Sequence, residues 1–154
     1  MPGYFDAKEI VPRVWIGSRD DATNPHFMHA NSIGMIINCT RDVDAPFSKT
    51  ILSIRIPVDD DPEYNDVFCK YVRQAVSKMH MFLRQRPGQN ILVHCAAGIS
   101  RSASMVAAFL MSEYQIPAEK SIQFIQTRKP ETFYGGVNFK PMLEYIERTI
   151  FDKK

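Results

Sequence analysis

The stretch Ile91-Leu92-Val93-His94-Cys95-Ala96-Ala97-Gly98-Ile99-Ser100-Arg101-Ser102 decides how the chain is read. A short apolar run, rich in β-branched residues, follows Gly88, which is the pattern of a buried strand. Small residues come next, and Ser102 to Met111 is rich in helix formers. The stretch therefore predicts strand, tight loop and helix, with Cys95 where the strand ends and Arg101 where the helix begins. The first amides of a helix lack intrahelical partners and carry the positive end of its dipole. A loop whose successive N–H groups turn inward at that point is an anion cradle. Arg101 lies six positions after Cys95, far enough to close such a loop. Gly98 permits a backbone conformation that a Cβ opposes, and Arg101 can offer its planar fork to two oxygens of an oxyanion. A thiol at a helix N-terminus ionises more readily than a free one. A thiolate beside an oxyanion cradle is a nucleophile aimed at phosphorus. A lone Cys after a strand is ordinarily a small buried hydrophobe. What sets this one apart is that His94, Cys95, Gly98, Arg101 and Ser102 occur together at a strand–loop–helix boundary.

Upstream, Val11 to Gly17 alternates and ends in Gly, which predicts a short strand pair near a sheet edge, with Trp15 in the core. Residues 1–10 read as a loose lead-in. Thr23-Asn24-Pro25 is a cap followed by proline in a first turn, so a helix is expected within Ser18 to Asn31, with His26 and His29 on its surface. Ile33 to Cys39 is a continuous apolar run of the kind seen in buried parallel strands. Arg41 to Lys49 reads as loop. Ile51 to Val58 reads as the next strand and runs into Asp59-Asp60-Asp61-Pro62-Glu63. Asn65 to Leu83 has the clearest helical spacing of apolar residues, and Pro87-Gly88 turns the chain back toward Cys95. Downstream, Ala118 to Thr127 is expected as a helix and Arg128 to Gly136 as a loop. Asn138 to Phe151 is expected as the last helix, with Pro141 tolerated in its first turn.

Strands alternate with helices, so the fold class is α/β: a central, mostly parallel twisted sheet of about five strands with helices on both faces. Sites in such sheets lie beyond the carboxyl ends of the strands, and Cys95, Cys39 and the Asp cluster after Val58 all fall there. At 154 residues, 1–154 reads as a single domain able to bury a sizeable core. A net charge of +2 is too small to argue for nucleic acid as a partner. Cys39, Cys69 and Cys95 are too widely spaced for a disulfide framework or a metal motif, and a reducing compartment is the default. No signal peptide, membrane-spanning run or lipidation motif is visible, so a cytoplasmic or nuclear location is expected, away from membranes.

His94 to Ser102 resembles the signature loop of the cysteine-dependent protein phosphatases, and most of all their dual-specificity group. Ala108-Phe109-Leu110-Met111 is similar to that group's Ala-Tyr-Leu-Met segment, with Phe in place of Tyr. The resemblance runs from Val11 to about Ile146. It implies the same fold and a catalytic domain that hydrolyses phosphotyrosine and phosphoserine/threonine through a phosphocysteine on Cys95. Its expected partners are phosphoprotein substrates, kinases and other signalling proteins among them. No cofactor or metal is expected, because the loop already supplies charge stabilisation and no ligand cluster appears.

A phosphoester leaving oxygen needs a proton, and a carboxylic acid on a separate loop is the usual donor. Asp59, Asp60 and Asp61 are the candidates. The spacing from Ile56-Pro57 resembles the family's Ile-Pro-x-x-Asp and selects Asp60, with Asp61 and then Asp59 as alternatives; Asp61-Pro62-Glu63 also looks like a helix start. The resemblance makes Ala96, Ala97, Gly98, Ile99, Ser100 and Arg101 the phosphate cradle, and Ser102 the hydroxyl that helps the thiolate leave. His94 shapes the loop, and Asn138 supports loop geometry before the last helix. Ala97 stands where some relatives carry a Glu that holds the arginine, so the sequence does not name what orients Arg101. The targeting domain of the kinase-phosphatase subgroup is not expected in a chain of this length. Cys39 ends a strand expected beside that of Cys95. As in some relatives, two such thiols can trap each other as a reversible disulfide; a buried structural Cys is the other reading. Rival functions are a phosphatase of RNA 5′-triphosphate or phosphoinositides, which the absence of Lys inside the loop disfavours, and a non-catalytic phosphate-binding module.

Overall fold

The computed structural model describes residues 7–44 and 49–152. Its strands are β1 (Lys8–Val11), β2 (Val14–Gly17), β3 (Ile33–Asn38), β4 (Leu52–Arg55) and β5 (Asn90–His94). They form one sheet in the order β1-β2-β5-β3-β4. β1 pairs antiparallel with β2, and the other three pairings are parallel. β3 and β5 lie inside the sheet, which is why they read as near-continuous apolar runs. All six β3 residues are buried, as are four of the five in β5.

Successive side chains on these strands point to opposite faces. Met35, Ile37, Ile91 and Val93 join the larger core, under α3 (Asn65–Gln85), α4 (Arg101–Tyr114), α5 (Ala118–Arg128) and α6 (Lys140–Phe151). Ile33, Ile36 and Leu92 join a smaller core, covered by α1 (Arg19–Ala22) and α2 (Pro25–Ala30). Helices therefore cover both faces, as the pattern predicts. α4 runs through the larger core with Ser102 to Met111 all buried. Its small residues, Ala103, Ala107 and Ala108, let it lie close to its neighbours. Asn24 caps α2 by accepting from the amides of His26 and Phe27, with Pro25 in the first turn. His26 and His29 are exposed, as expected. Among the described residues no helix is long and apolar enough to cross a membrane.

The structure corrects three local expectations. Residues 8–10 are not lead-in but part of β1, because Lys8 and Glu9 pair with Ile16 and Trp15 across a hairpin; residues 1–6 lie outside the described residues. Trp15 is half-buried in the smaller cluster, edge-on to Phe27 at 5.9 Å, rather than central. The strand expected over Ile51 to Val58 is only the four residues of β4, an edge strand with Leu52 and Ser53 exposed. Beyond β4, Ile56 still donates its amide to the Asn38 carbonyl at 2.8 Å, and both Ile56 and Val58 are fully buried, so their apolar character reflects burial. Part of the loop expected over Arg41 to Lys49, residues 45–48, lies outside the described residues.

Candidate active site

β5 delivers Cys95 to the carboxyl end of the sheet, and α4 begins at Arg101. The loop between them is shaped from both sides. Arg19 donates its amide to the Ala96 carbonyl at 3.0 Å, and Phe133 donates its amide to the Ile99 carbonyl at 2.8 Å. Gly98 has φ +74, and a Cβ there would stand 2.9 Å from the Gly17 carbonyl oxygen. Glycine is thus required both for the left-handed backbone and for close packing on the β2–α1 turn. These contacts engage the loop's carbonyls and leave its amides free. None of the amides of residues 96–100 donates to another group among the described residues.

Cys95 is buried, and its Sγ lies 3.1 Å from Ser102 Oγ. Arg101 donates from Nη1 to the Val58 carbonyl at 2.9 Å. That backbone oxygen is the orienting partner the sequence could not name. Arg101 Nε and Ser100 Oγ are buried with no hydrogen-bond partner among the described residues. Both residues lie on the stretch that leads from Cys95 into α4. His94 is fully buried, and burial holds its imidazole down to about 4. It is neutral near pH 7 and adds no charge behind Cys95. Its Nδ1 lies 3.3 Å from the Cys95 carbonyl, which fits a residue that shapes the loop.

The three aspartates are distinguished by what holds them. Asp59 accepts from Arg41 at 2.8 Å, and that hydrogen bond holds its carboxyl below the ordinary carboxylate range. Asp61 accepts from the Glu63 amide at 2.8 Å and caps the short helical turn Pro62–Tyr64, which is the helix-start role its sequence context suggests. Asp60 is exposed, and its Oδ1 accepts from Asn138 Nδ2 at 2.9 Å. Asn138 thus meets the acid loop directly. Its own carbonyl is fixed by Asn65, whose Nδ2 donates to it at 2.9 Å while Asn65 Oδ1 accepts from the Met142 amide at 3.0 Å. Sequence reading passed over Asn65, since a polar residue at a helix start carries no mark of such contacts. It also passed over Arg55, whose Nη1 and Nη2 donate to the carbonyls of Thr40 and Val43 at 2.8 and 2.7 Å and so hold the chain that leaves β3.

β3 and β5 are neighbours in the sheet, and Cys39 donates its amide to the His94 carbonyl at 2.8 Å. Cys39 is buried, and burial, followed by the charge of Cys95, pushes its thiol well above the ordinary range. Cys69 is half-buried on α3, and burial raises its thiol as well. Among the described residues no three His, Cys, Asp or Glu side chains gather as a metal site.

Known proteins resemble this chain in sequence and in fold. Human dual specificity protein phosphatase 16 is 30% identical over 144 residues, which is 92% of this chain and 21% of that protein. A Slingshot homolog phosphatase of Xenopus laevis is 32% identical over 123 residues, 79% of this chain and 17% of that protein. The chain therefore spans about a fifth of the length of these curated relatives. The crystal structure of human DUSP28 has the same fold, with a TM-score of 0.83 at 23% identity, covering 97% of this chain and 96% of that one. The family description "Dual specificity phosphatase, catalytic domain" matches residues 14–149, and the chain belongs to that family.

Proposed function

We propose that this domain hydrolyses phosphotyrosine and phosphoserine/threonine in proteins through a phosphocysteine on Cys95. The observation that carries the reading is that a buried thiol is followed directly by a loop whose amides, residues 96–100, donate to nothing among the described residues, and then by Arg101, whose buried Nε has no partner there. In the first step the Cys95 thiolate attacks phosphorus. The P–O bond to the substrate breaks, and Asp60 protonates the departing oxygen. In the second step Asp60, now a carboxylate, takes a proton from water as its oxygen attacks the phosphocysteine, releasing inorganic phosphate. Ser102 Oγ, 3.1 Å from Sγ, donates a hydrogen bond to the sulfur as it leaves. The loop amides and Arg101 hold the equatorial oxygens; losing one preorganised donor of this kind costs about 2.7–4 kcal/mol of barrier in other enzymes.

Two details favour phosphoproteins over triphosphate RNA or phosphoinositides. The arginines flanking the site are already paired, Arg41 with Asp59 at 2.8 Å and Arg19 with Asp42 at 3.9 Å. The loop itself carries no Lys. A polyanionic substrate would find little free positive charge around the phosphate cradle. Kinases and other signalling proteins are the phosphoproteins we expect as partners, and the need for a free Cys95 thiolate suits the reducing cytoplasm or nucleus. The test is phosphate release from a peptide bearing both phosphotyrosine and phosphothreonine, with triphosphate RNA and an inositol phosphate assayed in parallel. Both peptide sites should be cleared, and Cys95→Ser should bind the peptide without turnover. Turnover that survives Cys95→Ser, or that is confined to the polyanions, refutes the proposal.

A further inference from the structure

Tyr134 is the most exposed of the large hydrophobic side chains among the described residues, at 87%. A single exposed aromatic is ordinary on a protein surface. The backbone that carries this one is not. Phe133 has φ +61, Gly135 +87 and Gly136 +115. The Gly136 amide donates to the Phe133 carbonyl at 2.9 Å, closing a four-residue turn with Tyr134 at its second position and Gly135 at its third, where a left-handed residue belongs. A Cβ at Gly135 or Gly136 would meet nothing within 4 Å. These glycines therefore serve the turn's conformation and not a tight fit.

Both feet of the turn stand on the chemistry. Phe133 is buried and donates its amide to Ile99 of the phosphate cradle at 2.8 Å. Five residues on, Asn138 holds Asp60 at 2.9 Å. The segment 133–138 thus runs from the phosphate-binding loop to the acid, and Tyr134 stands next to the first foot. A phosphotyrosine substrate brings an aromatic ring to this site. A phosphoserine brings only a short aliphatic stem.

We propose that Tyr134 is a specificity residue that contacts the ring of a phosphotyrosine substrate and biases the site toward phosphotyrosine over phosphoserine. This rests on the phosphatase reading above. Offset or edge-on aromatic pairs contribute enough that removing one lowers affinity about 2- to 12-fold.

The test uses two peptides of one sequence, bearing phosphotyrosine or phosphoserine. Tyr134→Ala should raise KM for the phosphotyrosine peptide by about 2- to 12-fold with kcat unchanged, the mark of binding lost equally in ground and transition states. It should leave the phosphoserine peptide unaffected, and Tyr134→Phe should restore the original KM. Equal losses on both peptides, or none on either, overturn the proposal. A binding arm does not depend on turnover. In the Cys95→Ser background, Tyr134→Trp should change its indole emission on adding the phosphotyrosine peptide and not the phosphoserine peptide; Trp15 is the only other tryptophan. Unchanged emission with both peptides overturns the role of Tyr134. A wild-type domain that hydrolyses no phosphopeptide overturns instead the functional reading on which it rests.

Discussion

Burial of His94 next to the Cys95 loop predicts that the domain loses stability as pH falls. His94 is fully buried at the end of β5, just before the Cys95 loop, and burial lowers it from an ordinary 6.5 to about 4. As pH falls through 6.5 the unfolded chain takes up a proton that the native chain refuses until about 4. The stability at stake is therefore intact above pH 6.5, is lost progressively below it, and is wholly lost once pH falls below about 4. The difference between 6.5 and about 4 corresponds to about 3.4 kcal/mol in the limit, of which about 2 kcal/mol is lost by pH 5. In a domain of 154 residues each kcal/mol moves Tm by about 2–4 °C. Going from pH 7.5 to pH 5 should therefore cost about 4–8 °C through this residue alone. The reference protein is His94→Asn, which keeps an N–H near the position of Nδ1 and does not titrate in this range. Thermal unfolding followed by circular dichroism across the pH series, on both proteins, isolates His94 from the carboxylates they share. The wild type should lose about 4–8 °C more than the variant over that interval. Parallel curves for the two proteins would refute the argument that a buried neutral imidazole backs the cradle.

Other perturbations separate the parts of the site. Asp60→Asn should lower kcat on phosphopeptides by about 10²–10⁴-fold, the usual contribution of a general acid, while leaving phosphate binding intact; an equal loss in Asp59→Asn, with Asp60→Asn silent, would move the acid to Asp59. Gly98→Ala places a Cβ 2.9 Å from the Gly17 carbonyl oxygen at a left-handed φ. It should cost about 1–2 kcal/mol from the backbone conformation alone and weaken phosphate binding measured by calorimetry; unchanged Tm and Kd would show that the loop tolerates a side chain there. Cys39 and Cys95 sit at the ends of adjacent strands, and neighbouring strands lie about 4.8 Å apart, within the Cα span of a disulfide. Peroxide should oxidise the Cys95 thiolate to a sulfenic acid, which the Cys39 thiol condenses with, releasing water. With enough peroxide to carry an unprotected sulfenic acid on to the sulfinic acid, which dithiothreitol does not reduce, activity should return with dithiothreitol in the wild type but not in Cys39→Ser, and equal recovery in both would leave Cys39 as a structural residue.

What could be read from the chain alone was what is local. The strand, loop and helix around Cys95 follow from apolar runs and helix formers within a few residues of one another, and Asp61 announces its cap through Pro62 and Glu63. What could not be read depends on pairing across the chain. β1 has no apolar run of its own at Lys8 and Glu9, and becomes a strand only because β2 folds back on it. Arg101 is oriented by a backbone oxygen 43 residues upstream, at Val58, and a carbonyl leaves no trace in residue identity. Asn65 looks like any polar residue at a helix start, yet its contacts with Asn138 and Met142 span 73 and 77 positions. The acid loop shows why this matters. Val58 is taken by Arg101, Asp59 by Arg41, and Asp61 by its own turn. Asp60, by contrast, faces an uncharged amide from Asn138. Of the three carboxylates, Asp59 is committed to a guanidinium, which holds it below the ordinary carboxylate range, and Asp61 to the amide of its own turn. Sequence spacing proposed Asp60 by likeness to a motif. Along these four consecutive residues, Asp60 is the aspartate bonded to neither a guanidinium nor its own turn, and the Asp60→Asn and Asp59→Asn variants decide whether it is the acid.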